Sequence, residues 1–259
     1  MIDMHCHIVP GIDDGAKDME MSIEIAKLYS ENGFKKVFNT SHFLGEGNGA
    51  SRTDLEESFN NLNRVLLDEG IDLQVLPGNE LYISMDIIED LEAKRALTMN
   101  NSRYVLIELP SNDFPLYTEE VFYEMQIKGY KPIIAHPERN RSIVKNPELL
   151  INLIEKGALA QMNFHSIEGM YGKDVMLAAD LLLRNNLIHF LGTDTHSNGR
   201  RSPNVASVIK LISSKVGKEK LKELTVINPN KVINNSEILV EAPSRFKKPG
   251  LFNIFNGLF

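Results

Sequence analysis

The sequence predicts an α/β fold in which seven parallel strands form a closed or nearly closed barrel. Short apolar runs alternate with amphipathic helical patterns along nearly the whole chain, and this alternation is typical of parallel βα units with right-handed crossovers. A chain of 259 residues is long enough for one such barrel. Seven strands favour a barrel over an open sheet, although periodicity alone is compatible with both.

The predicted strands are apolar runs bounded by polar or turn-forming residues. They cover residues 1–7, 36–41, 74–80, 104–109, 132–136, 158–163 and 189–194. The segment before the fourth strand differs from the others. It reads Leu97-Thr98-Met99 and then Asn100-Asn101, so we expect a small hairpin inserted over residues 95–109.

The predicted helices lie between the strands. Residues 18–32 place Met21, Ile25 and Leu28 at helical spacing and end before Gly33, a residue typical of helix C-termini. Residues 52–69 repeat this pattern and end before another glycine. Shorter helices are predicted at residues 84–94, 118–128, 147–155, 173–184, 203–213 and 218–224.

The composition excludes several classes of protein. Contents of 42% hydrophobic and 24% charged residues are those of an ordinary globular domain. No apolar window of about 18 residues could span a membrane, and the N-terminus lacks the basic and apolar regions of a signal peptide. The single cysteine, Cys6, excludes an internal disulfide and fits a reducing compartment. A net charge of −7 disfavours nucleic acid as a partner. We therefore expect a cytoplasmic protein without a transmembrane segment.

The last 19 residues differ from the rest of the chain. We assign residues 1–240 to the barrel domain and residues 241–259 to a C-terminal tail, which has basic residues and prolines followed by several phenylalanines. One interpretation is a frayed terminus. The other is a short amphipathic segment that contacts a partner, a neighbouring subunit or a membrane surface.

Candidate functional residues lie at the C-terminal ends of the strands, where active sites collect in barrels and open α/β sheets. The first strand carries Asp3-Met4-His5-Cys6-His7, whose alternate side chains are expected to share a face. Six of the seven strands supply a histidine, aspartate or glutamate at this end of the fold. The candidates are His5, His7, Asp13, Asp14, His42, Glu80, Glu108, His136, Asp194 and His196. Each one alone is ordinary, but their coincidence at one end of the fold favours a metal site.

The number and type of these ligands indicate a cluster of ions. About nine nitrogen and oxygen ligands are too many for one ion and fit two or three ions with water completing their coordination. A mixed imidazole and carboxylate set without thiolate suits manganese, iron or zinc. Such clusters typically serve the hydrolysis of phosphate esters.

These residues resemble the pattern of the polymerase-and-histidinol-phosphatase (PHP) superfamily. The segment Asp-Met-His-Cys-His-Ile-Val-Pro-Gly-Ile-Asp-Asp-Gly-Ala-Lys-Asp, residues 3–18, looks like the signature of its bacterial capsule and exopolysaccharide tyrosine-phosphatase branch. Gly78-Asn79-Glu80 and Ala135-His136-Pro137-Glu138-Arg139 support that branch. Thr193-Asp194-Thr195-His196 is a slight variant of the usual Ser-Asp-x-His and keeps both ligand positions. The resemblance covers residues 1–235.

The resemblance implies a distorted, TIM-like (β/α)7 barrel, the PHP fold, with a three-ion cluster in which manganese is preferred. The implied ligands are His5, His7, Glu80 and Asp194 for the first ion, Glu80, Glu108 and His136 for the second, and Asp14, His42 and His196 for the third. Arg139 and Arg201 match the arginines that grip the substrate phosphate. Arg201 is preferred to the adjacent Arg200 because of its spacing from His196.

The function implied is that of a metal-dependent protein-tyrosine phosphatase. Its substrate would be the phosphotyrosine tail of a bacterial tyrosine autokinase that regulates capsule or exopolysaccharide synthesis, attacked by a metal-bridging hydroxide. Guanidinium groups suit the phosphotyrosine dianion because they bind phosphate oxygens in pairs. The sequence assigns no general acid.

Three alternatives stay open. One is a small-molecule phosphomonoesterase of the histidinol-phosphatase type, and another is a PHP exonuclease or editing module, which the acidic net charge disfavours. The third is a metal-stabilised binding protein without turnover. The full ligand set together with two arginines disfavours this last alternative.

Cys6 lies between the two histidines but does not match a thiolate phosphatase. Those enzymes carry Cys-x5-Arg, whereas position 12 here is Ile12. On a strand, Cys6 would also face away from His5 and His7. We interpret Cys6 as a core residue.

Five further residues receive other assignments. Asp3 is predicted to orient an imidazole. Asp13 is predicted to cap its loop, so that Asp14 is the ligand of the pair. His189 begins an apolar strand and is predicted to be buried and hydrogen-bonded. His165 is predicted to be a plain loop residue, and Glu138 to pair locally.

Overall fold

The computed structural model describes residues 1–241 and residue 243. The strands in this part of the chain are all parallel and form two sheets, ordered β1-β2-β4 and β3-β5-β6-β7-β8-β9. They are β1 (Ile2–Cys6), β2 (Lys36–Asn39), β3 (His42–Phe43), β4 (Gln74–Leu76), β5 (Glu80–Tyr82), β6 (Tyr104–Glu108), β7 (Lys131–Ala135), β8 (Leu159–Asn163) and β9 (Phe190–Gly192).

The two sheets join into a barrel with seven strand positions, as predicted. Residues 36–41 and 74–80, each predicted as one strand, are interrupted, so β2 and β4 lie in one sheet while β3 and β5 lie in the other. The barrel closes between β1 and β9. There the His7 amide donates to the Thr195 carbonyl at 2.9 Å, and the Asp194 amide donates to the His5 carbonyl at 2.8 Å.

The helices surround the barrel. They are α1 (Met19–Glu31), α2 (Arg52–Asp68), α3 (Ile87–Glu92), α4 (Thr118–Ile127), α5 (Arg141–Lys145), α6 (Glu148–Glu155), α7 (Lys173–Arg184), α8 (Ala206–Lys222) and α9 (Asn228–Ile233). Helix α1 begins where the Asp18 carboxylate accepts from the Met21 amide at 2.9 Å, and α2 begins with a capping box of Ser51 and Asp54. None of the helices within residues 1–241 is long and apolar enough to cross a bilayer.

One sequence-based expectation about secondary structure was wrong. Residues 95–109 form no hairpin: a 3₁₀ turn at Met99–Asn101 precedes β6, which pairs in parallel with β5 and β7. Asn100 and Asn101 both have left-handed backbone, so the predicted turn is present without a strand before it. Residues 203–213 and 218–224 were predicted as two helices, and this is confirmed: Gly217 (φ 85°, ψ 163°) has non-helical backbone and divides α8 into two helical segments. Helix α5 was not predicted.

The core has two layers, and it leaves one end of the barrel for the site. One apolar cluster packs between the strands and the surrounding helices, and a second fills the barrel interior. Val232 of α9 joins this interior cluster, and the Asn228 side chain donates to the His189 carbonyl at the start of β9. Helix α9 therefore covers the N-terminal ends of the strands. The polar candidates lie at the opposite end. Most of the predicted tail, residues 241–259, lies outside the described residues.

Candidate metal centre

The first two histidines converge at the end of β1. The Nε2 atoms of His5 and His7 lie 3.2 Å apart, and His5 Nε2 lies 3.1 Å from Glu80 Oε2. Both imidazoles are fully buried. The main-chain bonds to Thr195 and Asp194 that close the barrel fix this segment. The end of β1 therefore directs two ring nitrogens and a carboxylate oxygen at one point.

All nine metal ligands predicted from the sequence lie in one cluster. Three groups have ligand atoms within 4.8 Å of one another: His7, Asp14, His42 and His196; His5, His7 and Glu80; and His42, Glu80 and Glu108. The other two residues border these groups, since Asp194 Oδ1 lies 3.5 Å from His5 Nε2 and His136 Nε2 lies 2.9 Å from Glu80 Oε1. Compared with the grouping implied by family resemblance, His7 also approaches the group of Asp14, His42 and His196.

Glu80 lies at the centre of the cluster. One oxygen, Oε2, is 3.3 Å from His42 Nδ1 and 3.5 Å from His7 Nε2, while Oε1 faces His136. Burial raises the pKa of this carboxyl, but the imidazoles of His5, His136 and His7 outweigh burial and hold it well below its usual range. Glu80 is therefore a buried anion whose two oxygens face different candidate ligands.

Two of the candidate ligands have unusual backbone conformations. His136 (φ 29°) and Asp194 (φ 55°) are non-glycine residues with positive φ. Such conformations cost on the order of 1–3 kcal/mol and persist where the surrounding structure enforces them, often at functional sites. Here they direct a ring and a carboxylate into the barrel mouth directly after β7 and β9.

Both predicted arginines contact Asp194 at the edge of the cluster. Arg139 Nη1 lies 2.7 Å from Asp194 Oδ2, and Arg201 Nη2 lies 2.7 Å from Asp194 Oδ1. Each arginine side chain is 30% exposed, so both guanidinium groups are accessible from the barrel mouth. Arg200 is directed elsewhere, because its Nη2 donates to the Met170 carbonyl.

Several buried polar residues orient the candidate ligands, and sequence reasoning missed this role. Asp13 accepts from His7 Nδ1 at 2.7 Å and from the His42 amide at 2.9 Å. On β8, the side-chain oxygen Oε1 of Gln161 lies 2.9 Å from His5 Nδ1, and the side-chain nitrogen Nδ2 of Asn163 donates to Asp194 Oδ2 at 2.8 Å. The signal was present in the sequence, because β8 was the one strand with no charged candidate. Its alternating Gln161 and Asn163 supply amides instead.

Asp3 does not orient an imidazole, contrary to expectation. Its carboxylate accepts from Tyr29 Oη at 2.5 Å, from Thr193 Oγ1 at 2.6 Å and from the Thr193 amide at 2.9 Å. Strict alternation along β1 fails because its register with β2 shifts between Asp3 and Cys6. Asp3 therefore holds β1, β9 and α1 together beneath the cluster.

One further expectation was wrong. Glu138 does not pair locally: its Oε1 accepts from the Asn163 amide at 2.9 Å and from Ser166 Oγ at 2.7 Å, both distant in sequence. His165 lies in a 3₁₀ turn at Phe164–Glu168, and its Nε2 lies 3.1 Å from the Ser202 carbonyl.

The expectations for His189 and Cys6 were confirmed. His189 is buried and its Nδ1 accepts from the Ala160 amide at 3.0 Å. Cys6 is buried in the cluster beneath the helices, and burial raises the pKa of its thiol well above the usual value. Such a thiol stays protonated and is a poor nucleophile.

Proton positions around His5 and His7 show that these residues fit a cation. Asp194 only accepts, so Asn163 Nδ2 must face it, Asn163 Oδ1 accepts from Gln161 Nε2, and Gln161 Oε1 accepts from His5 Nδ1. His7 Nδ1 likewise donates to Asp13. If both rings are neutral, their Nε2 atoms carry lone pairs only 3.2 Å apart, which is repulsive unless a proton or a metal cation lies between them.

The raised pKa of His7 also indicates that a positive charge is stabilised at this position. Burial lowers this pKa, but the Asp13 and Glu80 carboxylates outweigh burial and raise it to about 10. Nitrogen and oxygen donors without thiolate suit manganese, iron or zinc. The cluster therefore has the charge, the donor types and the number of ligand atoms that a multi-ion site needs.

Comparison with known proteins agrees with this geometry. A family model described as capsular polysaccharide synthesis, CpsB/CapC, matches residues 1–234. The chain is 38% identical over 258 residues to the tyrosine-protein phosphatase YwqE of Bacillus subtilis, covering 98% of this chain and 100% of that protein. It is 30% identical over 238 residues to the tyrosine-protein phosphatase CpsB of Streptococcus pneumoniae, covering 90% and 98%.

A solved structure is similar over almost the whole chain. It comes from crystal structures described as YwqE from Bacillus subtilis and CpsB from Streptococcus pneumoniae, unique metal-dependent tyrosine phosphatases. The TM-score is 0.91 at 38% identity, covering 96% of this chain and 100% of that chain. Family model, sequence relatives and structure thus agree, and this chain belongs to the CpsB/CapC family of capsular polysaccharide synthesis proteins.

Proposed function

We propose that this chain is a manganese-dependent protein-tyrosine phosphatase. Its substrate is the phosphotyrosine tail of a bacterial tyrosine autokinase that regulates capsule or exopolysaccharide synthesis, and the reaction takes place in the cytoplasm. The observation that carries the proposal is the pair of guanidinium groups, Arg139 and Arg201, that contact Asp194 beside the nine candidate metal ligands. Relatives named tyrosine-protein phosphatases support the substrate class.

The ligands of the bound ions would be His5, His7, Asp14, His42, Glu80, Glu108, His136, Asp194 and His196. When bound, such ions polarise phosphoryl oxygens and activate water near neutral pH. The two arginines bind the phosphoryl group: their N–H groups, now on the Asp194 oxygens, lie where they can donate to phosphate oxygens in pairs. His7 and His5 stay oriented through Asp13 and Gln161.

The position of the arginines favours a peptide as substrate. Both side chains are 30% exposed at the barrel mouth, so a phosphate carried on an extended chain can reach them. Residues 1–240 then form the catalytic unit and residues 241–259 an appended tail, because every site residue lies before position 202. We expect a chain that ends at residue 240 to retain turnover of phosphotyrosine peptides.

The proposal is tested by a panel of substrates and an arginine variant. The manganese-loaded protein should hydrolyse phosphotyrosine peptides, lose this activity with chelator, and leave phosphoserine peptides and histidinol phosphate largely intact. Arg139→Ala should lower kcat/KM roughly 10- to 100-fold through loss of charge-assisted hydrogen bonds, with metal content unchanged. The matched control is Arg64→Ala, because Arg64 donates to Asn61 on the exposed side of α2. Lack of phosphotyrosine hydrolysis with manganese, iron or zinc would refute the proposal.

A further inference from the structure

A cavity of about 820 Å³ borders the candidate metal centre at Arg139. It lies between α5 and the start of α7, outside the ring of candidate ligands. Arg139 belongs to both places: Nη1 contacts Asp194, while the guanidinium carbon lies 4.7 Å from the Tyr171 ring centroid. A chain whose phosphate is bound by Arg139 therefore has its neighbouring residues at this cavity.

The cavity is strongly cationic. Five of its lining residues are basic, namely Arg139, Arg141, Lys145, Lys173 and Arg200, and two are acidic, Glu138 and Asp174. Glu138 is buried and its Oε1 accepts hydrogen bonds within the fold, and the basic lining residues outnumber the acidic ones even when both carboxylates are charged. Within residues 1–241, no carboxylate forms a salt bridge with Arg141, Lys173 or Arg200.

The wall that separates the cavity from the metal centre has an unused donor. The Tyr171 hydroxyl is buried and has no hydrogen-bond partner among the described residues. Burial and the Asp194 charge raise the pKa of this phenol, so it remains a donor at neutral pH. A buried donor without a partner costs about 1–3 kcal/mol and favours an acceptor that arrives with a ligand.

We propose that this basic cavity binds a second anionic side chain of the substrate peptide, one that lies within a few residues of the phosphotyrosine being hydrolysed. The anionic side chain is either a carboxylate or another phosphotyrosine, and both present several acceptor oxygens to the cavity. An extended chain advances about 3.3 Å per residue, so an anion one to three residues away can reach the cavity from Arg139. The inference rests on the proposed function and names the substrate class that the same site selects.

The test uses substrates that differ only in flanking charge. Three phosphotyrosine peptides carry neutral flanks, flanking glutamates, or a flanking non-hydrolysable phosphonate analogue of phosphotyrosine, and para-nitrophenyl phosphate has no flank. The variant is Arg141→Gln with Lys173→Gln, both exposed residues of the cavity. The control is Lys210→Gln with Lys218→Gln, two exposed lysines of α8.

Wild type should prefer at least one anionic peptide to the neutral one by roughly tenfold in KM, the effect of one charge-assisted hydrogen bond. The double variant at Arg141 and Lys173 should lose this preference, with the neutral peptide and para-nitrophenyl phosphate unchanged within about twofold. The control should retain it. An effect confined to the glutamate peptide identifies a carboxylate as the ligand, and one confined to the phosphonate peptide identifies a phosphate.

The proposal is overturned if wild type has no preference for anionic flanks or if the cavity variant keeps it. A failure of wild type to hydrolyse any phosphotyrosine substrate would instead count against the proposed function. In that case the affinity of the cavity for labelled peptides is measured separately by fluorescence anisotropy. If the variant binds the anionic peptides more weakly than wild type, the proposed role of the cavity is supported. If both bind them equally, the proposal is overturned.

Discussion

Replacing Asp13 by asparagine should weaken metal binding although Asp13 is not itself a proposed ligand. Its Oδ2 accepts from His7 Nδ1 at 2.7 Å and from the His42 amide at 2.9 Å, while Oδ1 accepts from the Gly15 amide at 3.0 Å. An asparagine has one acceptor oxygen and one donor nitrogen. In either orientation its NH₂ group faces at least one N–H donor, so one bond to the native carboxylate is lost.

The size of the effect follows from that lost bond. A hydrogen bond to a charged group contributes about 1.5–3 kcal/mol, which corresponds to roughly 10- to 100-fold in an equilibrium constant. Residues that orient metal ligands show losses of similar size when they are replaced. The pKa of Asp13 is held below its usual range by His7 despite burial, so the native group is an anion at neutral pH. We therefore expect Asp13→Asn to raise the Kd for manganese about 10- to 100-fold.

Competition with a chelator of known affinity measures this Kd, and circular dichroism verifies that the variant is folded. Asp72→Asn is the matched control, because Asp72 pairs with Lys35 on the exposed surface. It should bind manganese as wild type does. A manganese Kd for Asp13→Asn within twofold of wild type would show that the orientation of His7 by Asp13 does not contribute to binding.

Three further outcomes are expected. Cys6→Ala should keep phosphotyrosine turnover, because the thiol is buried with a raised pKa; loss of turnover with full metal content would contradict a metal-dependent mechanism. Burial lowers the pKa of His189 from 6.5 to about 3, so as the pH falls below 6.5 the unfolded chain takes up a proton that the folded chain does not. This costs roughly 2 kcal/mol of stability at pH 5. His189→Asn, which can still accept from the Ala160 amide, should therefore show a smaller fall in unfolding free energy between pH 6.5 and 5 in urea titrations, and parallel curves would refute this. Glu138→Leu should lose about 1–3 kcal/mol in the same assay by leaving the Asn163 amide and the Ser166 hydroxyl unpaired, whereas Glu138→Gln should stay within about 1 kcal/mol; equal losses would contradict the hydrogen-bonding role.

Sequence reasoning succeeded where a local pattern carries the information. Strand–helix alternation indicated parallel units, and the residues at strand ends included all nine cluster members, because parallel strands bring their C-terminal ends to one edge. It failed where a local pattern permits two outcomes. Asn100-Asn101 is a turn in either a hairpin or a 3₁₀ connection, and a register shift in β1 moved Asp3 away from the histidine face.

The sequence by itself therefore determined the fold class, the residue types of the candidate ligands and the end of the barrel where they meet, since these depend on residue identity and strand periodicity. Only the tertiary structure decided which neutral or buried groups orient the ligands: Asp13 on His7, Gln161 on His5 and Asn163 on Asp194. It also decided that Arg139 is shared between the cluster and a basic cavity. Hydrogen bonds between residues far apart in sequence depend on distances of a few tenths of an ångström, and no spacing along the chain specifies them.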